Sequence, residues 1–238
     1  PLPRPPRPRI SMQSLVHHLP IATTLVAAAF APAVLARWRR KRPAPHLFWW
    51  GLGIAFFGLG TLAESATTLF GWHEPVFRAW YVSGALLGAA PLAQGTAYLL
   101  MDRRVAHALT ALLGLVVLAA TTVVLRSPLD PAVVATGRLT GAALAWPEAR
   151  MFSPFVNVYA VIVLAGGAAW SAVRYRGDPS ARHRFLGNVF IAVGAVLPGI
   201  GGTAARMGST ETLYVTELVG LVLIWVGYRY NVGRAAGG

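Results

Sequence analysis

The stretch LFWWGLGIAFFGLGTLAESATTLF, residues 47–70, carries one ionisable side chain, Glu64, in an otherwise apolar or weakly polar run. A segment of about 20 mostly apolar residues can cross a bilayer as a helix, because hydrocarbon offers no partner to unpaired backbone groups. Residues 47–70 therefore read as a membrane span. Six further stretches read the same way: 15–36, 77–101, 105–126, 153–174, 185–206 and 211–230. The expected fold is all-α, a polytopic membrane protein built as a seven-transmembrane-helix bundle over residues 15–230. A Pro/Arg-rich flexible tail (1–14) precedes it, and a short cytoplasmic tail (231–238) follows.

Composition agrees with that reading. Of 238 residues, 55% are hydrophobic and 12% charged, about half the charged share of a soluble domain. The balance of Lys+Arg 21 against Asp+Glu 8 gives a net charge of +13, which on a soluble chain would suggest nucleic acid. Here it reports topology instead, and no nucleic-acid partner is expected. The absence of cysteine excludes disulfides, a cysteine nucleophile and thiolate metal sites.

The first span is too long for a signal-peptide core, and Arg37-Trp38-Arg39-Arg40-Lys41-Arg42 follows it where cleavage would fall. It reads as a retained helix, with Met12 a candidate start. The short connections set the orientation. One side carries Arg37, Arg39, Arg40, Lys41 and Arg42, then Arg103 and Arg104, then Arg174, Arg176, Arg182 and Arg184, then Arg229 and Arg234. The other side carries Arg78, Arg126, Arg138, Arg150 and Arg206, plus Arg4, Arg7 and Arg9 in the tail. The N-terminus is expected outside and the C-terminus in the cytoplasm of a cell (plasma or bacterial inner) membrane. Trp49, Trp50, Trp72, Trp80, Trp146 and Trp225 fall near proposed span ends, as interfacial aromatics do. No internal repeat supports an inverted-repeat transporter.

Several chemistries are missing. A retinal protein needs a Schiff-base lysine in its last span, and the only lysine, Lys41, lies in a connection. His17, His18, His46, His73, His107 and His183 lie at or near span ends, and none is spaced with a carboxylate as a metal face. Adjacent His17 and His18 would point about 100° apart on a helix. No P-loop, dinucleotide fingerprint or nucleophile elbow occurs, so no catalytic residues and no enzyme are expected. No metal and no cofactor is evident, with room left for a bound lipid or pigment.

Ionisable groups within spans are costly and mark functional sites. Glu64 and Glu217 both fall roughly 10 Å below the outer surface at about 1.5 Å per residue. Gly53, Phe57, Gly60, Glu64 and Thr67 share one helix face, as do Trp80, Gly84, Leu87, Pro91, Gln94 and Tyr98, and Tyr214, Glu217, Leu221, Trp225 and Tyr228. These faces predict an outward-opening ligand pocket with Glu64 and Glu217 as its polar floor and Trp80 and Tyr214 as walls. Gln94 lies on the span-three face, and Arg206, at the end of span six, is placed to neutralise either carboxylate. The competing reading makes each Glu a packing element, protonated or hydrogen-bonded between helices. Gln94, Asn157 and Asn188 read as interhelical hydrogen-bonders, and Pro91 and Pro198 as helix kinks. Gly199, Gly201 and Gly202 suit close helix packing.

The long outer connection, 127–152, contains a candidate short hairpin, Val133–Thr136 and Leu139-Thr140 about Gly137-Arg138. Ser153-Pro154 suits the N-cap and first position of span five. An apolar loop over the bundle end can serve as a lid or as a docking surface.

The runs Phe57-Gly58-Leu59-Gly60-Thr61-Leu62-Ala63-Glu64, Trp80-Tyr81-Val82-Ser83-Gly84-Ala85-Leu86-Leu87 and Pro91-Leu92-Ala93-Gln94-Gly95-Thr96-Ala97-Tyr98 together resemble the seven-span N-terminal sensor region of some bacterial histidine kinases. Phe152–Tyr159 is similar to that family's start of span five, and Pro198 matches a span-six proline. The resemblance carries over Glu64, Trp80 and Pro91. It implies a receptor-like membrane sensor module that binds a small or lipidic ligand in the outer half of the bundle. With only Asn231–Gly238 after Tyr230, no kinase part follows, so signalling is expected to pass through a separate membrane protein partner. The alternative is an accessory or scaffold subunit of a larger membrane complex, such as an energy-converting one. A transporter, with Glu64 and Glu217 carrying protons or cations, stands third.

Overall fold

The computed structural model describes residues 16–233. The expected flexible start (1–14), Met12 and the last five residues lie outside the described residues. Seven helices are long and apolar enough to cross a membrane: α1 (Leu19–Arg40), α2 (Pro45–Phe70), α3 (Glu74–Leu100), α4 (Arg103–Arg126), α5 (Pro147–Tyr175), α6 (Pro179–Arg206) and α7 (Thr210–Gly233). The chain is a multi-pass membrane protein with an all-α seven-helix fold. α7 runs through Tyr230 to Gly233, so the expected tail from 231 is partly helix.

The helices pack in chain order and close by setting α7 against α1; α3 also touches α5. Half of the apolar window of α3 is buried, against 11% for α4, which makes α3 the central helix and α4 the peripheral one. The main core joins Phe30 and Val34 of α1, Ile54 of α2, Leu92 of α3, Leu164 of α5, Ile191 of α6 and Leu221 of α7. Trp225 belongs to this interior rather than to an interface. It stacks on Phe30 with ring centroids 5.1 Å apart, because Phe30 presents a flat apolar surface well inside α1.

Glycine sets the closest helix approaches. Gly187 and Gly194 of α6 meet Gly227 and Gly220 of α7, and a Cβ on Gly194 would lie 2.6 Å from the Gly220 carbonyl oxygen. Gly201 continues the row against Leu213 and Thr216, so small residues let two backbones touch. Gly60 of α2 meets Gly84 of α3 in the same way.

α3 is not one continuous α-helix. An α-helical start (Glu74–Trp80) passes into a π-helical segment (Tyr81–Leu86), and α-helix resumes at Ala90–Leu100. Pro91 explains the break: it has no N–H to donate, and its ring clashes with the carbonyl one turn back. The expected kink at Pro91 is thus a full interruption. Around Pro198, α6 continues as α-helix to Arg206.

Two expectations on the long connection fail. The candidate hairpin is absent: Pro131–Val134 is a helical turn and Gly141–Ala143 a 3-10 turn, joined by a single antiparallel bridge, Leu129 to Leu144. Pro131 presets a helical φ, and the Asp130 carboxylate accepts from Ala132 N–H at 2.9 Å, which outweighs the strand preference of Val133 and Val134. α5 begins at Pro147, not at Ser153-Pro154. Pro147 takes the first-turn position, with Glu148 beside the helix N-terminus, where a negative charge is favoured. Pro154 lies inside the helix.

Candidate functional site

The half of the bundle that carries the long connection also holds the acidic residues of interest. Glu64 sits near the end of α2 and is 3% exposed. Its Oε1 accepts a hydrogen bond from Trp80 Nε1 at 2.9 Å. That reach depends on the Gly60–Gly84 contact one turn away, where a Cβ on Gly60 would stand 2.6 Å from Gly84 Cα. With the backbones that close, an indole from α3 spans the gap to a carboxyl on α2.

Glu217 of α7 meets Glu64 within hydrogen-bonding reach. The α2 and α7 backbones do not pack along their lengths, so the two side chains cross the space between them. Tyr214, buried one turn before Glu217, stands within electrostatic range of both carboxyls. Its ring packs edge-on against His17 at 6.3 Å between centroids. On the other flank of Glu64, α1 is tied to α2 by the Thr24 hydroxyl, 3.0 Å from Thr61 Oγ1 and 3.5 Å from Ser65 Oγ.

Glu64 Oε2 and Glu217 Oε2 are both buried, and neither receives a hydrogen bond from a donor. Only Trp72 Nε1 and His183 Nδ1 share that condition among the described residues. A carboxyl oxygen can bond to another carboxyl only if one of the two carries the proton. The pair therefore holds either one shared proton or spare acceptor capacity for a donor that enters.

The other residues expected at this site behave differently. Gln94 is fully buried, but its amide donates to Ala106 O at 2.8 Å and Thr110 Oγ1 at 2.7 Å, and its Oε1 accepts from Tyr159 O–H at 2.7 Å. It joins α3, α4 and α5, with no contact to the carboxyl pair, and all its capacity goes to packing. Arg206 forms no ion pair with either carboxylate. The one salt bridge among the described residues joins Arg78 to Glu74 at 2.7 Å. Arg206 lies within electrostatic range of Tyr81 instead. Trp80 and Tyr214 do border the pair, with Trp80 a direct hydrogen-bond partner rather than only a wall.

Interhelical bonding by Asn157 holds: its amide donates to Ala85 O at 3.0 Å. Asn188 does not reach across; its amide donates to Arg184 O at 2.8 Å in its own helix. The Ser153 hydroxyl lies inside α5 rather than at its cap and donates to the same Ala85 carbonyl at 2.6 Å. Two α5 side chains thus satisfy a carbonyl that the break in α3 releases, as lipid demands of irregular backbone.

Sequence reasoning also missed two arginine clamps. Arg78 donates to Val124 O and, at 3.0 Å, to Ser127 O, closing the last turn of α4. Arg138 donates to Gly208 O at 3.1 Å and to Thr210 Oγ1 at 3.3 Å, holding the long connection across to the start of α7. Phe77 and Tyr81 bury their rings under Ala143 and Leu144 of that connection. No cluster of three or more metal-ligating side chains occurs among the described residues.

A cavity lies at the opposite end, lined by Trp38, Arg42, Pro45, Trp49, Tyr98 and Arg103 among others. No protein-family model matches the chain, and searches among curated proteins and solved structures return no match. The likeness to kinase sensor regions rests on its residues alone.

Proposed function

We propose that this protein is a receptor-like sensor module of the cell membrane, with its N-terminus outside and its C-terminus in the cytoplasm. Its ligand is a small molecule presenting hydrogen-bond donors, best matched by a protonated amine. The carrying observation is the buried Glu64–Glu217 pair, whose two Oε2 atoms have no donor. A ligand that inserts its N–H groups between the carboxyls replaces a contact that needs a shared proton with two charge-assisted hydrogen bonds. Insertion separates α2 from α7. Trp80 carries that displacement to α3, the central helix, which is interrupted between Leu86 and Ala90. An interrupted helix is suited to move because its backbone bonds have already been re-routed. A partner membrane protein then reads the change.

The test is thermal unfolding of the full chain in neutral detergent with an alkylammonium series from methylammonium to butylammonium. At least one member should raise the midpoint, and Glu64→Gln and Glu217→Gln should each remove the rise. Glu64→Gln retains an oxygen for Trp80 and should unfold near the unliganded wild-type midpoint, whereas Glu64→Leu should unfold earlier. No response to any member, with wild-type stability in both Gln variants, would leave the pair as packing and the chain as a scaffold subunit.

A further inference from the structure

Independently of the carboxyl pair, we infer that the cavity at the basic end of the bundle binds the head group of one anionic phospholipid. The cavity measures about 390 Å³, within the usual size of a ligand site. It lies between the α1–α2 connection and the α3–α4 connection, and every fixed charge lining it is positive: Arg42 and Arg103. Neither arginine has a hydrogen-bond or ion-pair partner among the described residues. The guanidinium of Arg42 lies over the Trp38 ring, 4.3 Å from its centroid. That face-on contact orients the group and leaves its N–H edge for an acceptor. Arg103 opens α4, where unpaired backbone N–H groups add positive potential.

The remaining walls say which anion. Trp49 and Tyr98 stack with ring centroids 6.4 Å apart and an interplanar angle of 11°, and Pro43 and Pro45 complete an apolar side. Tyr98 O–H is held 2.8 Å from His107 Nδ1 and 3.0 Å from Thr110 Oγ1, so the aromatic wall is fixed. Guanidinium edges beside fixed aromatic and proline surface, at the ends of membrane spans, match an amphiphile: phosphate on the arginines, glycerol and first acyl carbons on the rings. A free phosphate would use only the first half of that surface.

The test is a titration of the full chain in neutral detergent micelles with phosphatidylglycerol, read as a one-lipid adduct by native mass spectrometry. The adduct should saturate. Arg42→Gln with Arg103→Gln should weaken it about thirtyfold, the combined effect of two cations near a lipid surface. Arg39→Gln with Arg40→Gln removes the same charge outside the cavity and should change it less than about twofold. Equal weakening by both pairs would reduce the site to general surface charge. On the wild-type chain, where no variant has to fold, phosphatidylcholine binding as tightly as phosphatidylglycerol would overturn the inference. So would displacement of phosphatidylglycerol by equimolar inorganic phosphate, which would mark a soluble-anion site.

Discussion

Replacing Gly60 by alanine tests whether the carboxyl site depends on how closely α2 approaches α3. The new Cβ would stand 2.6 Å from Gly84 Cα and 3.1 Å from Gly84 N, and both are backbone atoms that no rotamer change can move aside. Carbon atoms rest at about 3.5–4.0 Å, so the helices must separate by about 1 Å. Overpacking of this kind costs about 1–3 kcal/mol. The same separation lengthens the 2.9 Å Trp80–Glu64 hydrogen bond beyond useful geometry. Gly114 in α4 supplies the control, since a Cβ there meets nothing within 4 Å. Alanine at that position should be neutral or stabilise by up to about 1 kcal/mol, because glycine is the poorer helix former. The assay is thermal unfolding in detergent for both variants, with ultraviolet resonance Raman of the indole N–H reporting the Trp80 bond. Gly60→Ala should unfold earlier and weaken the indole signal, while Gly114→Ala should do neither. Equal midpoints for the two variants, or an unchanged indole signal in Gly60→Ala, would refute the link between the glycine contact and the site.

Trp80→Phe keeps an aromatic ring but removes the indole donor to Glu64. It should cost about 1–3 kcal/mol, and a double-mutant cycle with Glu64→Leu should show coupling of at least about 0.5 kcal/mol. Arg78→Ala frees the Val124 and Ser127 carbonyls and should destabilise by about 1–3 kcal/mol, with faster hydrogen exchange confined to the end of α4 and the following connection. Ahead of α6, the exposed Asp178 carboxylate accepts from the Ser180 hydroxyl and N–H at 2.6 and 2.8 Å, which holds its pKa below the ordinary aspartate value. The folded pKa is the lower one, so this cap contributes above the unfolded value and is lost as pH falls through the folded one. Ser180→Ala should move the Asp178 titration by NMR back up toward the ordinary range.

The spans were legible because lipid imposes one rule on every backbone polar group, and long apolar runs are the only way to obey it. Five of the seven starts shift by only a few residues, and α6 begins earlier because a 3-10 turn, Pro179–Ala181, leads into its α-helical part. The start of α5 moves because Pro147 with Glu148 forms a better helix start than Ser153-Pro154, and local pattern cannot rank two competing proline starts. Glu64 and Glu217 were legible as a pair because depth in a membrane follows from counting residues. Their partner Trp80 was legible only as a neighbouring face. The bond itself depends on Gly60 meeting Gly84, a contact between helices that no single helical pattern encodes. The same holds for the Ala85 carbonyl, which Ser153 and Asn157 can reach only because α3 breaks where Pro91 forces it. Arg206 was misplaced for the opposite reason. Sequence put it at the same end of the bundle as the carboxyls, but that alone says nothing about the direction in which a helix end faces.

The polar groups inside the bundle divide by whether their capacity is used. Gln94 has its amide and its oxygen engaged by two neighbouring helices, and Ser153 and Asn157 converge on one released carbonyl. These arrangements fix packing, and a ligand would have to break bonds to use them. Thr24, Thr61 and Ser65 complete one another across α1 and α2. Glu64 and Glu217 differ. Only one of their four oxygens receives a hydrogen bond from a fixed donor, and the two groups press together without the cation that would normally compensate them. Packing alone would not require two carboxyls, since a single acceptor satisfies Trp80. The second acid adds a desolvation cost with no structural return, so its expected return lies in what the pair can accept.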